Sequence, residues 1–178
     1  MEIVRDGREA LLDFVQRSHV ALTIADHALP DTPLIAVNDR FCAMTGYGVA
    51  DALGRNCRFL QPPTGAGPVR ERMRAFIQDP DVSDGKFVIA NCRRDGTPFV
   101  NLVYMAKLRG PDEGSLILGS QFDVTRLGGR DLDLYETALI ADITSLTRLC
   151  DGEGWFFLGN YETLASSAAL LAKHRLGD

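Results

Sequence analysis

The octapeptide Gly54-Arg-Asn-Cys-Arg-Phe-Leu-Gln61 (GRNCRFLQ) carries the reading of this chain. It sets one cysteine, Cys57, among polar neighbours and just ahead of the apolar pair Phe59-Leu60. Taken alone, a cysteine in apolar surroundings is usually an inert core residue. Its surroundings decide whether this one is more than that. Gly54 divides residues 49–60 into two short helical turns, and PPTGAGP (62–68) reads as a loop.

On the N-terminal side, REALLDFVQR (8–17) spaces Leu11, Leu12 and Val15 as a short amphipathic helix. VALTIAD (20–26) and LIAVN (34–38) read as strands separated by the turn-rich HALPDTP. A brief helix then starts at Asp39 and ends at Gly46. On the C-terminal side, Val69, Met73, Phe76 and Ile77 share one face of a helix over 69–78. Three strands follow at 86–93, 98–109 and 115–125, the first two joined through Asp95-Gly96, a pair typical of tight hairpins. Five strands interrupted by short helices make an α+β domain with a five-stranded antiparallel sheet. The expected organisation is an N-terminal helical cap (1–19), the sheet domain (20–126) and a C-terminal helical extension (127–178), with a hinge at LGGRD (127–131).

Bulk composition narrows the class. With 178 residues, 46% hydrophobic and 24% charged, the chain can bury a real core. A net charge of −5 argues against nucleic acid, which requires clustered Lys and Arg. No apolar run is long enough to span a bilayer, and the charged N-terminus does not resemble a secretory signal. Cys42, Cys57, Cys92 and Cys150 form no CxxC pair, and His19, His27 and His174 are scattered, so no metal is expected. Free thiols without an export signal point to the cytoplasm.

GRNCRFLQ is essentially the signature of the LOV (light-oxygen-voltage) domains, the flavin-binding, light-sensing branch of the PAS fold. The resemblance covers residues 20–125 and includes PDTPLIAVNDRFCAMTGY, and the strand order suits it. Arg74 follows Cys57 by 17 residues, Asn91 and Asn101 stand 10 apart across a hairpin, and Gln121 sits in the last strand within GSQFD. All four occur where the family places flavin contacts. The resemblance implies that Asn56, Arg58, Gln61, Arg74, Asn91, Asn101 and Gln121 hold the cofactor. It further implies that Cys57 forms a reversible bond to flavin C4a under blue light. Gln121 would then relay the protonation of flavin N5 to the C-terminal helices.

Residue chemistry agrees with these assignments. A guanidinium is a planar, permanently charged fork suited to a phosphate; Arg58 and Arg74 are the candidates, and Arg70 and Arg72 are weaker ones whose preferred reading is solvated surface charge. Amides both donate and accept, which suits a ring edge that displays both kinds of group. Asparagine is disfavoured in strand interiors, so Asn91 and Asn101 within apolar strands ask for a buried polar partner. The chain lacks the long insertion after the signature that resembles those of FAD-binding relatives, so FMN is expected. It departs from the family at Pro62-Pro63, where Gly-Pro is common, and at Val100, where an aromatic often precedes the second asparagine.

Beyond the sheet domain, Leu132, Tyr135, Leu139, Ile143, Leu146 and Cys150 form a helical stripe, and Asn160 caps a second helix carrying Leu164, Ala168 and Leu171. No kinase, cyclase or phosphodiesterase is expected in so short a chain. Residues 131–178 carry eight acidic and three basic side chains, which would repel a phosphate backbone. The stripe, with Trp155, Phe156 and Phe157, is expected to serve a homodimer or an unknown signalling protein, the other reading being a helical cap on its own sheet. No nucleophile–base pair, paired carboxylates or phosphate loop points to substrate turnover, so a non-enzymatic photosensor is expected. The competing readings are a flavin-based redox sensor and a PAS-type module for another small molecule.

Overall fold

Two-residue alternation along the strands makes a sheet with two unlike faces, and the computed structural model shows what covers each. Residues 7–111, 114–125, 129–157 and 159 are described. In chain order the elements are α1 (Gly7–Arg17), β1 (Ala21–Asp26), β2 (Leu34–Val37), α2 (Asp39–Thr45) and α3 (Val49–Ala52). A 3-10 turn (Cys57–Leu60), α4 (Pro68–Gln78), β3 (Asp84–Cys92), β4 (Pro98–Arg109) and β5 (Ser115–Asp123) follow, then α5 (Gly129–Glu153) and β6 (Phe156–Phe157). The strand order is β2-β1-β5-β4-β3, with every pair antiparallel.

A sixth strand adds to the five expected. β3 stops pairing at Asp84↔Ala106, and β6 takes up the next stretch of β4, at Leu108↔Phe157 and Arg109↔Phe156. Two residues are too short a run for alternation to reveal. The hairpin between β3 and β4 is also longer than a tight two-residue turn. Arg93 N donates to Thr97 O and Gly96 N to Arg93 O, both at 2.9 Å, which leaves 94–96 as the tip. Gly96 sits there at φ 87°, a left-handed conformation that glycine adopts without steric cost.

One face of the sheet is apolar. Leu22 and Ile24 of β1, Leu102, Tyr104, Ala106 and Leu108 of β4, and Leu116 and Leu118 of β5 pack there against α1 and α5. The helical stripe of α5 is wholly consumed on this face: Leu132, Tyr135, Leu139, Ile143, Leu146 and Cys150 are all buried. This corrects the expectation that the stripe serves a partner. A fully buried aliphatic side chain contributes about 1.5–3 kcal/mol, so peeling the stripe off to build an interface would cost more than one amide switch supplies. Trp155 is buried as well, whereas Leu134 and Phe156 remain exposed. The expected second helix after Asn160 lies outside the described residues. So does part of the 127–131 hinge, and α5 already begins at Gly129.

Two buried polar knots fasten the helices. Asn38 caps α2 by accepting from Phe41 N and also from Leu22 N, while its Nδ2 donates to Val15 O and Val20 O. Asp142 of α5 accepts from Ser18 Oγ (2.5 Å), His19 N (3.0 Å) and, on its other oxygen, lies 3.0 Å from His19 Nδ1. α5 is thereby tied to the α1–β1 junction.

Candidate functional site

The other face of the sheet is the wall of a cavity of about 360 Å³. Its wall is built from every second residue of four strands: Thr23 and Ala25; Ile89 and Asn91; Asn101, Val103 and Met105; Ile117, Gly119 and Gln121. The opposite side comes from the 3-10 turn, α4 and the loop after β1. Volumes of several hundred Å³ with mostly apolar walls and a few polar groups are typical of small-molecule sites.

The polar groups form a ladder across three strands. Asn101 Nδ2 donates to Asn91 Oδ1 at 2.9 Å and to Gln121 Oε1 at 3.1 Å. Gln121 Nε2 in turn reaches Cys57 Sγ at 3.9 Å, within range for a sulfur acceptor. The strand register produces this arrangement, because Ile89↔Asn101 and Val103↔Gln121 place the three amides on one face at diagonal positions. All three are buried, with Asn101 only 1% exposed. Asn101 Oδ1 has no hydrogen-bond partner among the described residues. Buried carbonyl oxygens are nearly always paired, so this one calls for a donor from a molecule filling the cavity.

Cys57 opens the 3-10 turn, whose first residues are held from outside. Asn56 Oδ1 accepts from Arg58 N (3.0 Å) and Asn56 Nδ2 donates to Asp31 O (2.7 Å), so both ends of that amide are engaged by the protein. Burial pushes the Cys57 thiol up to about 12, and the Gln121 contact only partly opposes this. The sulfur is therefore a protonated thiol at neutral pH.

At the mouth, Arg58 pairs with Asp31, and Arg74 Nη1 lies 3.7 Å from Glu71 Oε2. Arg70 also lines the cavity, one helical turn before Arg74 on α4, while its side chain stays exposed; Arg72 is not among the lining residues. Gln61 also borders the cavity. All of the predicted site residues, Asn56, Cys57, Arg58, Gln61, Arg74, Asn91, Asn101 and Gln121, thus converge on one cavity. Three guanidinium groups and three amides among the lining fit a molecule with an anionic tail and a flat polar-edged ring.

Several lining residues carried no sequence signal. His27, Asp31 and Thr32 form part of the rim, with Asp31 and Thr32 at φ 66° and 48°. The crowded PDTP turn was the available hint. Thr23 and Gly119 sit opposite each other in the wall, paired in the β1–β5 register. The two departures prove harmless to the cavity wall. Pro62 O accepts from Gly65 N (2.8 Å) in a turn that seats Pro63 at its second position, where the ring suits the backbone. Val100 packs on the helix-covered face, away from the cavity.

The family pattern described as PAS domain matches residues 21–126. The Rhodobacter sphaeroides LOV protein superposes with a TM-score of 0.77 at 29% identity, over 95% of this chain and 96% of that one. The RsLOV d2 variant gives a TM-score of 0.80 at 30% identity, over 96% and 97%. Blue-light-activated histidine kinase 1 of Erythrobacter litoralis is 35% identical over 125 residues, 67% of this chain. The chain spans only 33% of that kinase's length. Among the described residues, no helix is long and apolar enough to cross a membrane.

Proposed function

This chain belongs to the PAS family, in its LOV branch, and from that premise we propose that it is a blue-light receptor whose photochemical residue is Cys57. The observation that carries the proposal is the amide ladder Asn91–Asn101–Gln121 ending on the half-buried Cys57 thiol, with Asn101 Oδ1 unpartnered among the described residues. LOV domains bind a flavin, and FMN is the form we assign. Arg58, Arg70 and Arg74 would hold its phosphate, and Asn91, Asn101 and Gln121 would pair with its ring edge. When bound, the flavin supplies blue-light absorption and a ring carbon, C4a, that accepts a thiol sulfur as the adjacent N5 takes up the proton.

Each residue then has a defined task. Cys57 holds its proton in the dark, since a thiol pushed up to about 12 stays neutral throughout the physiological range. Under light it would supply both its sulfur and its proton to the ring, and in darkness it would recover the thiol. Gln121 reads the change, because an amide donating to a site that has acquired a hydrogen must present its oxygen instead. Keeping two donors face to face costs about 1–3 kcal/mol. Asn56 keeps the Cys57 turn in place by bridging Arg58 N and Asp31 O. The output is a changed oligomeric state or partner contact, with no substrate turned over, in the cytoplasm.

Purified protein tests this directly. It should be yellow, lose its blue absorbance under illumination and regain it in darkness, and Cys57→Ala should keep the pigment and lose the cycle. A colourless protein, or an unchanged cycle in Cys57→Ala, overturns the proposal. Reversible bleaching only with a chemical reductant would indicate redox sensing instead.

A further inference from the structure

We infer that Tyr135 of α5 is the positioning residue through which the C-terminal helix senses Gln121; this rests on the reading of the cavity as a flavin photosite. Neighbouring residues of a strand point to opposite faces. Gln121 faces the cavity, so Ser120 and Phe122 face α5, and both grip the same side chain there. Ser120 Oγ lies 2.7 Å from Tyr135 OH, and both residues are buried. The Phe122 and Tyr135 rings are stacked, with centroids 4.3 Å apart and planes 6° from parallel.

The two contacts differ in kind, and together they remove most freedom between β5 and the first turns of α5. The hydrogen bond fixes the phenol along the ring axis, and the stack fixes the ring plane. Any shift of the β5 backbone at Gln121 therefore moves Tyr135 through both neighbours. A groove of about 550 Å³ adjoins the same point, bordered by Gln121, Phe122, Tyr135, Leu134 and Met44. Elsewhere the helix is anchored by Asp142 to Ser18 and His19, so a push at Tyr135 acts as torque about a fixed point.

The test compares dark and light hydrogen exchange over residues 130–150 in the full flavin-loaded chain, with absorbance recorded on the same samples. Unaltered protein should bleach and show faster exchange in α5 under light. Tyr135→Phe keeps the stack and removes the hydroxyl; Ser120→Ala removes the same bond from the strand side. Either variant should bleach and recover normally, while its light-induced exchange change falls by about threefold to tenfold, the factor one buried hydrogen bond is worth. A merely structural role would alter exchange in the dark and leave the light-induced difference intact. If both variants respond in α5 as the unaltered chain does, or if unaltered protein bleaches with no response in α5, the inference fails while the photochemical reading stands. If unaltered protein does not bleach at all, both fail.

Discussion

Gln121 Nε2 stands 3.9 Å from Cys57 Sγ while its Oε1 accepts from Asn101 Nδ2 at 3.1 Å. One carboxamide thus bridges the thiol on the 3-10 turn and the polar ladder on the sheet. Cys57 and Gln121 are 64 residues apart in sequence, so their meeting is a product of the fold. In the proposed photocycle, Gln121 is the point where chemistry at the sulfur would become movement of β5.

Substituting Gln121 by Leu preserves bulk and removes both polar ends. Asn101 Nδ2 keeps Asn91 Oδ1, so the folded state should lose only about 1–2 kcal/mol. Pigment and bleaching should persist, while the light-induced change in α5 exchange should largely vanish. An undiminished α5 response in Gln121→Leu removes that residue from the relay.

The guanidinium rim predicts a selective effect on cofactor affinity. Arg58→Gln, Arg70→Gln and Arg74→Gln should each weaken FMN binding by about threefold to tenfold, the modest range expected of half-exposed charges. Riboflavin, which has no phosphate, should bind all three variants as it binds the unaltered chain. Fluorescence-quenching titrations with the two ligands decide the matter; equal losses for both would relocate the phosphate. Arg70→Gln specifically checks the guanidinium that the sequence ranks below Arg58 and Arg74.

Lys86 makes stability depend on pH in a definite direction. Its ammonium is almost fully buried, and desolvation lowers it from 10.5 to about 8, with Glu136 (3.8 Å) and Asp84 opposing. Between those values the unfolded chain holds a proton that the folded chain has released, so unfolding free energy rises with pH at up to about 1.4 kcal/mol per unit. Denaturant titrations of the unaltered chain and Lys86→Met, made from pH 7 to 10, should diverge with that sign. Parallel curves would show that Lys86 keeps its proton on folding.

Gly119 is a packing constraint on the cavity wall. A Cβ there would lie 2.7 Å from Thr23 Oγ1, a contact that real Cβ atoms do not make. Gly119→Ala should therefore lower stability by about 1–3 kcal/mol through overpacking. Adding Thr23→Ala removes the clashing hydroxyl and should return most of the loss in thermal unfolding. No recovery in the double variant would mean that the backbone at 119, and not the side-chain clash, sets the cost.

Much of this was legible in one dimension. The helices expected at 8–17 and 69–78 follow from apolar spacing, and the one begun at Asp39 from its stop at Gly46. The three long strands follow from alternation, and the GRNCRFLQ signature with Arg74, Asn91, Asn101 and Gln121 located the cavity before any coordinate did. β6 was not legible, since its two residues are strand only because β4 has an unpaired edge. Nor was the place of Arg70 on the cavity lining, which depends on how α4 is rotated against the sheet.

What the sequence by itself determined is the set of local elements and the inventory of chemical groups, because periodicity, caps and side-chain type act over a few residues. Which face each amide joins, and that the α5 stripe is used up on the chain's own sheet, was decided by tertiary structure. The reason is physical: a hydrophobic stripe requires burial but does not specify against what, and long-range pairing alone chooses the surface. The same pairing puts Ser120 and Phe122 behind Gln121, and so hands Tyr135 to the strand that faces the thiol.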